Sequence, residues 1–166
     1  MTRRPFLADR AGAAAAEMAL ILPFVLVLLF SGLEAGNFIW THHKLVQGVR
    51  DGARFASRIE VADVCRDGAV VLDADRLTVI KRITRTGQLG DDTAHPRVIG
   101  WGDDEVTVNF ECNAFVDTGI YRELDERGPL VTVSANVAYP SLFGMFGVLG
   151  PQLRMTAQSS AAVIGL

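Results

Sequence analysis

From Met18 to Leu33 the chain carries no Asp, Glu, Lys or Arg, and this run limits the fold more than any other feature. Extended back through Ala11 it covers roughly 23 residues, or about 34 Å of helix, enough to cross a hydrocarbon core about 30 Å thick. A helix satisfies every backbone N–H and C=O within one segment, so a single membrane-spanning helix is predicted. Arg3, Arg4 and Arg10 precede the run against Asp9 alone. By the positive-inside rule the N-terminus stays cytoplasmic and the remainder is exported. A cleaved secretory signal also starts basic and continues apolar. Its cleavage pattern is poor here: Leu33 and Ala35 are the nearest approach to small-x-small, with Glu34 between them. Length and the weak site favour retention of the helix over its removal.

One carboxylate, Glu17, stands at the threshold of the run, five residues beyond Gly12. An acid near the centre of a membrane helix costs about 2.5 to 3.5 kcal/mol on insertion scales, so an intramembrane Glu calls for a partner, and the natural one is an amine. The alternative places Glu17 at headgroup level, where an acid at a helix end faces water at little cost.

Arg10-Ala11-Gly12, the alanines 13–16, Glu17-Met18-Ala19-Leu20 and Pro23 resemble the N-terminus of TadE-like minor pilins of the Flp, or tight-adherence, type IV pilus system. The resemblance covers about the first 58 residues, ending near Gly52-Ala53-Arg54. It implies cleavage by a prepilin peptidase between Gly12 and Ala13, which makes Glu17 the fifth residue of the mature chain. It also implies a non-enzymatic minor pilin or pseudopilin that takes part in pilus assembly and adhesion. The partners implied are the prepilin peptidase, a major pilin, other minor pilins and the inner-membrane assembly platform.

The arrangement also has a physical logic of its own. Cleavage after Gly12 would free the α-amine of Ala13, and unperturbed α-amines titrate at about 7.7 to 8.0, mostly positive at neutral pH. Glu17 lies four residues on and shares a helix face with that amine. This amine, or that of a neighbouring subunit, would neutralise the acid. In a low-dielectric bundle an uncompensated carboxylate draws an incoming amine and sets axial register, as a lone polar residue does in a coiled coil.

The helix is expected to continue past the membrane, because Asn37 to Arg58 contains no proline and Phe38, Leu45, Val49 and Phe55 recur near helical spacing. Phe38 and Trp40 suit the membrane–water interface, and Pro23 removes one backbone hydrogen bond. Gly32 and Gly36 form a small-xxx-small pair suited to helix association. Gly48, Gly52 and Ala56 continue that rhythm, and for them packing on the chain's own domain is favoured over a subunit contact.

Beyond Ile59 the patterning reads as α+β. Asp73 is expected to cap a helix over 74–86, with Leu77, Ile80, Ile83 and Thr84 on its inner face and Gly87 closing it. Residues 90–104 read mainly as loop, with a short strand at Val98-Ile99. The period then changes to two. Glu105 to Phe115 sets Val106, Val108, Phe110 and Cys112 on one face, Leu130 to Tyr139 repeats the pattern with Val131, Val133, Ala135 and Val137, and Gln152 to Ile164 supplies a third strand. An antiparallel meander is predicted. The connection Pro140 to Pro151 is unusually apolar, with Leu142, Phe143, Met145, Phe146, Val148 and Leu149. Either it folds over the sheet as a lid, the favoured reading, or it is an apolar patch for a partner or a membrane surface.

Cys65 and Cys112 both fall in the exported part, where an oxidising compartment permits a disulfide, and they are expected to pair rather than to remain free buried thiols. A net charge of −3 without a basic cluster leaves no footprint for nucleic acid. No P-loop, dinucleotide fingerprint or nucleophile elbow is present, and Gly144, Gly147 and Gly150 lack the strand-to-helix context of a phosphate loop. No cofactor is expected. His42-His43 point apart on a helix and do not suit zinc, while Asp91, Asp92, Asp103, Asp104 and Glu105 match no calcium-loop spacing.

The expected organisation is a prepilin leader over 1–12, a transmembrane helix over 13–36, its extramembrane continuation over 37–58 and an exported α+β domain over 59–166. The expected location is the bacterial inner membrane, single-pass, with the domain periplasmic or extracellular. A secreted domain, or an uncut signal-anchored binding protein, is the alternative.

Overall fold

The computed structural model describes residues 11–90, 95–114, 128–144 and 153–165. Arg3, Arg4, Asp9, Arg10, Asp91, Asp92 and Phe115, together with residues 145–152 of the apolar connection, lie outside the described residues. Two compact units are distinguished, Met1–Asn37 and Phe38–Leu166.

Helix α1 spans Ala11–Ala56 and includes Pro23. Among the described residues it is the one helix long and apolar enough to cross a membrane. In the first unit every residue from Gly12 to Leu33 is exposed. A helix that is apolar all round is stable where lipid or neighbouring helices cover it. In the second unit the pattern of α1 becomes one-sided. Leu45, Val49, Ala53 and Ala56 are fully buried at helical spacing, while Arg50 and Arg54 face water. Phe38 and Phe55, read from the same periodicity, pack at the margin of this core. The helix ends as Arg58 and Ile59 donate three residues back, to the carbonyls of Phe55 at 3.1 Å and Ala56 at 3.3 Å. Ser57 Oγ donates to the Arg54 carbonyl at 2.9 Å.

Among the described residues, strands β3 (Val106–Ala114), β4 (Gly128–Ala138) and β5 (Arg154–Ala162) form an antiparallel sheet in that order, as the alternation predicts. Val131, Val133, Ala135 and Val137 of β4 are buried, whereas Thr132, Ser134 and Asn136 lie on the other side. Such a division pins the register, because a slip by one residue would turn the valines to water. Pairs Val106↔Ala135 and Val133↔Ser159 define it. Across the outer face the hydroxyls of Thr132 and Ser160 meet at 2.9 Å. Val131 and Val133 join Leu45, Val49, Ile80, Met155 and Phe110 in one core. Truncating Leu45 to alanine there would cost about 2 to 5 kcal/mol.

Helix α3 occupies Ala74–Thr86 with Ile80, Ile83 and Thr84 buried, and Gly87 closes it at φ 75°, its N–H donating to the Ile83 carbonyl at 2.8 Å. The expected Asp73 cap differs in kind. Asp73 stands at the N-cap with extended backbone, but its side chain makes no capping bond. Its carbonyl accepts the first helical bond, from Leu77 N–H at 3.1 Å.

Two further elements appear ahead of α3, namely α2 (Val61–Val64) and a hairpin of β1 (Cys65–Arg66) and β2 (Ala69–Val70). Asp67 at φ 52° and Gly68 at φ 79° make its turn, the pair of positive φ values that tight hairpins require. Cys65 is bonded to Cys112 of β3, which ties the hairpin to the sheet.

The strand expected at Val98-Ile99 is absent. These residues form a turn in which Trp101 N–H donates to the Val98 carbonyl at 3.2 Å and Gly100 takes φ 80°. A turn with positive φ at its third position is the reason: it throws Ile99 into solvent while Val98 and Trp101 both go into the core.

Candidate functional site

Helix α1 carries Gly12, Ala13, Glu17, Gly32 and Gly36, and all five are exposed. Ala13 and Glu17 are one helical turn apart and share a face, and so do Gly32 and Gly36. At 100° per residue, the Glu17 and Gly32 directions differ by about 60°, so both pairs lie on neighbouring strips of one side. Glu17 makes no hydrogen bond or ion pair with a described residue. A methyl group built on Gly32 or Gly36 would meet no atom within 4 Å, leaving room for a second helix to approach the backbone closely.

Gly48 and Gly52 behave differently. A Cβ at Gly48 would strike the Thr84 carbonyl oxygen and stand 2.7 Å from Trp101 Cη2. At Gly52 it would strike the Thr84 hydroxyl. The continuation of the small-residue stripe therefore seats α3 and the Trp101 turn, as the favoured sequence reading had it.

Several charged residues of the second unit pair with one another. Arg97 pairs with Asp51 and Arg85 with Asp103, each at 2.6 Å. Glu105 accepts from Arg154 at 3.2 Å and from the Gly102 N–H at 3.1 Å. Asp103 and Glu105 thus face guanidinium groups. Among the described residues no three His, Cys, Asp or Glu converge on a metal position. His42 stacks on Phe38 at 6.3 Å between ring centroids, and His43 is exposed. The sheet's outer face offers an open polar depression lined by Glu105, Ser134, Asn136, Arg154, Thr156 and Gln158. Its described lining offers carboxylate, hydroxyl, amide and guanidinium groups, with Glu105 and Asn136 both bonded to Arg154.

The hairpin and the Trp101 turn escaped the sequence reading. Asp67-Gly68 was the signal for the first, and a Trp flanked by Gly100 and Gly102 the signal for the second.

Residues 12–54 match the family model of TadE-like proteins. No curated protein and no solved structure matches the chain.

Proposed function

We propose that the chain is a minor pilin or pseudopilin of a Flp/Tad-type pilus. It is held in the inner membrane by residues 13–36 and trimmed between Gly12 and Ala13. The TadE-like match over 12–54 carries the reading, because it contains the glycine, the acid and the whole apolar run. The exposure of Glu17 beside Ala13 supports an electrostatic role. Once freed, the Ala13 amine of the same or a neighbouring subunit neutralises the carboxylate and fixes helix register. Gly32 and Gly36 allow close approach to another helix, and the second unit presents the outer surface. The partners are a prepilin peptidase, a major pilin, other minor pilins and the assembly platform.

The test compares two variants in the native envelope. Gly12→Asp blocks trimming, whereas Glu17→Ala is trimmed normally yet reduces piliation. Full piliation by the Glu17 variant would remove the electrostatic role, and normal trimming of Gly12→Asp would remove the processing site.

A further inference from the structure

The second unit begins in the chain at Phe38. There the Phe38 ring meets Tyr139 edge-on at 5.2 Å. Tyr139 lies where β4 gives way to the connection leading to β5, and its N–H donates to the Leu153 carbonyl at 2.9 Å. This brings the Leu153 backbone beside Tyr139, and Leu142 follows Tyr139 by three residues. Ile39 and Trp40, which follow Phe38, and Leu142 and Leu153, which flank the connection after Tyr139, are 57%, 64%, 52% and 43% exposed. Lys44 Nζ stands 5.4 Å from the Trp40 ring centroid, which puts a cation beside the exposed indole.

We propose that this end docks on the headgroup–acyl boundary of the bilayer that holds the anchor. The inference rests on the membrane-anchored reading and adds a second, peripheral contact to it. Chain length selects lipid as the occupant. Leu33 and Phe38 are five residues apart, so at most about 18 Å of backbone separates them at any angle the chain adopts, and about 7.5 Å if helical. The interfacial layer outside each face of the hydrocarbon core is about 5 to 8 Å deep, so Phe38 and its neighbours emerge at headgroup level. A surface tethered that closely meets the bilayer at high effective concentration, whereas a protein partner must arrive by diffusion. The side chains suit the site: Trp and Tyr favour this layer, leucines enter the acyl boundary, and Lys44 reaches toward anionic headgroups.

The experiment reconstitutes the full chain in phosphatidylethanolamine–phosphatidylglycerol vesicles. In a Trp40→Phe background, Leu142→Trp or Leu153→Trp supplies an indole against the constant signal of buried Trp101. Quenching by brominated lipid and by aqueous acrylamide is measured. Two controls use the same background: Val27→Trp reports the anchor, and Ile99→Trp reports an exposed turn that packs beyond Phe38 along α1. The expected result is quenching of Val27→Trp, Leu142→Trp and Leu153→Trp by brominated lipid, with the latter two losing acrylamide access. Ile99→Trp should show the reverse. If Leu142→Trp and Leu153→Trp behave like Ile99→Trp while Val27→Trp is quenched, the docking proposal is overturned and the anchor stands. If Val27→Trp is also untouched by brominated lipid, both readings fall. Shielding that grows with protein density would identify a protein contact and likewise overturn docking on lipid.

Discussion

Gly52 lies so close to Thr84 that a methyl group added to it would overlap the Thr84 hydroxyl and stand 3.1 Å from its Cβ. That hydroxyl cannot swing away freely, because it donates to the Ile80 carbonyl at 2.8 Å inside α3. One turn earlier, Gly48 meets the Thr84 backbone oxygen itself. Two glycines on α1 thus set the distance at which α3 packs.

Gly48→Val should therefore destabilise the second unit by about 1 to 3 kcal/mol, the cost of overpacking, despite a helix-propensity gain of a few tenths. Urea unfolding of the detergent-solubilised chain measures it. An unchanged midpoint would mean that α3 does not pack on this strip.

Gly32→Ala and Gly36→Ala should leave that unfolding midpoint unchanged, since neither site has an atom within 4 Å of the added methyl. On the proposed function, helix association in the membrane should weaken, which co-immunoprecipitation of differently tagged copies reads directly. Reduced association at an unaltered midpoint is the expected pair of results. A lowered midpoint would place these glycines in the chain's own fold.

Replacing Cys65 and Cys112 together by serine should cost about 4 kcal/mol on the chain-entropy model, given the separation of 47 residues that the bond spans. The loss is read as a lower urea midpoint than that of the oxidised parent. Equal midpoints would show that the hairpin and β3 hold together without the bond.

The turn that carries Trp101 is held by burial more than by charge. Trp101→Ala should cost about 3 to 5 kcal/mol, because the indole is buried against Gly48. Arg97→Ala should cost at most about 1 kcal/mol, because its partner Asp51 is more than a third exposed and the pair is screened. The ranking is the test, and a reversed order in thermal unfolding would contradict it.

Much of this fold was legible in the chain. Val131, Val133, Ala135 and Val137 read as one face of a strand because period two has no helical counterpart, and all four are buried. Gly87 marked the end of α3 because positive φ there is open chiefly to glycine. The apolar run and the disposition of Gly12, Ala13 and Glu17 on it follow from 3.6-residue geometry alone. Contacts between distant segments were not legible. Nothing local to Phe38 announces Tyr139, and Gly100 and Gly102 signal a turn around Trp101 without telling that Val98 and Trp101 go inward while Ile99 goes out. Those choices are made by the cavity that α1, α3 and the sheet leave between them, so they appear only with tertiary packing.

Intact mass spectrometry of the protein purified from its native envelope tests the central claim most directly. The account predicts a mature chain that begins at Ala13. A chain that begins at Met1 or Thr2, or one that has lost the apolar helix and begins near Gly36, would contradict it.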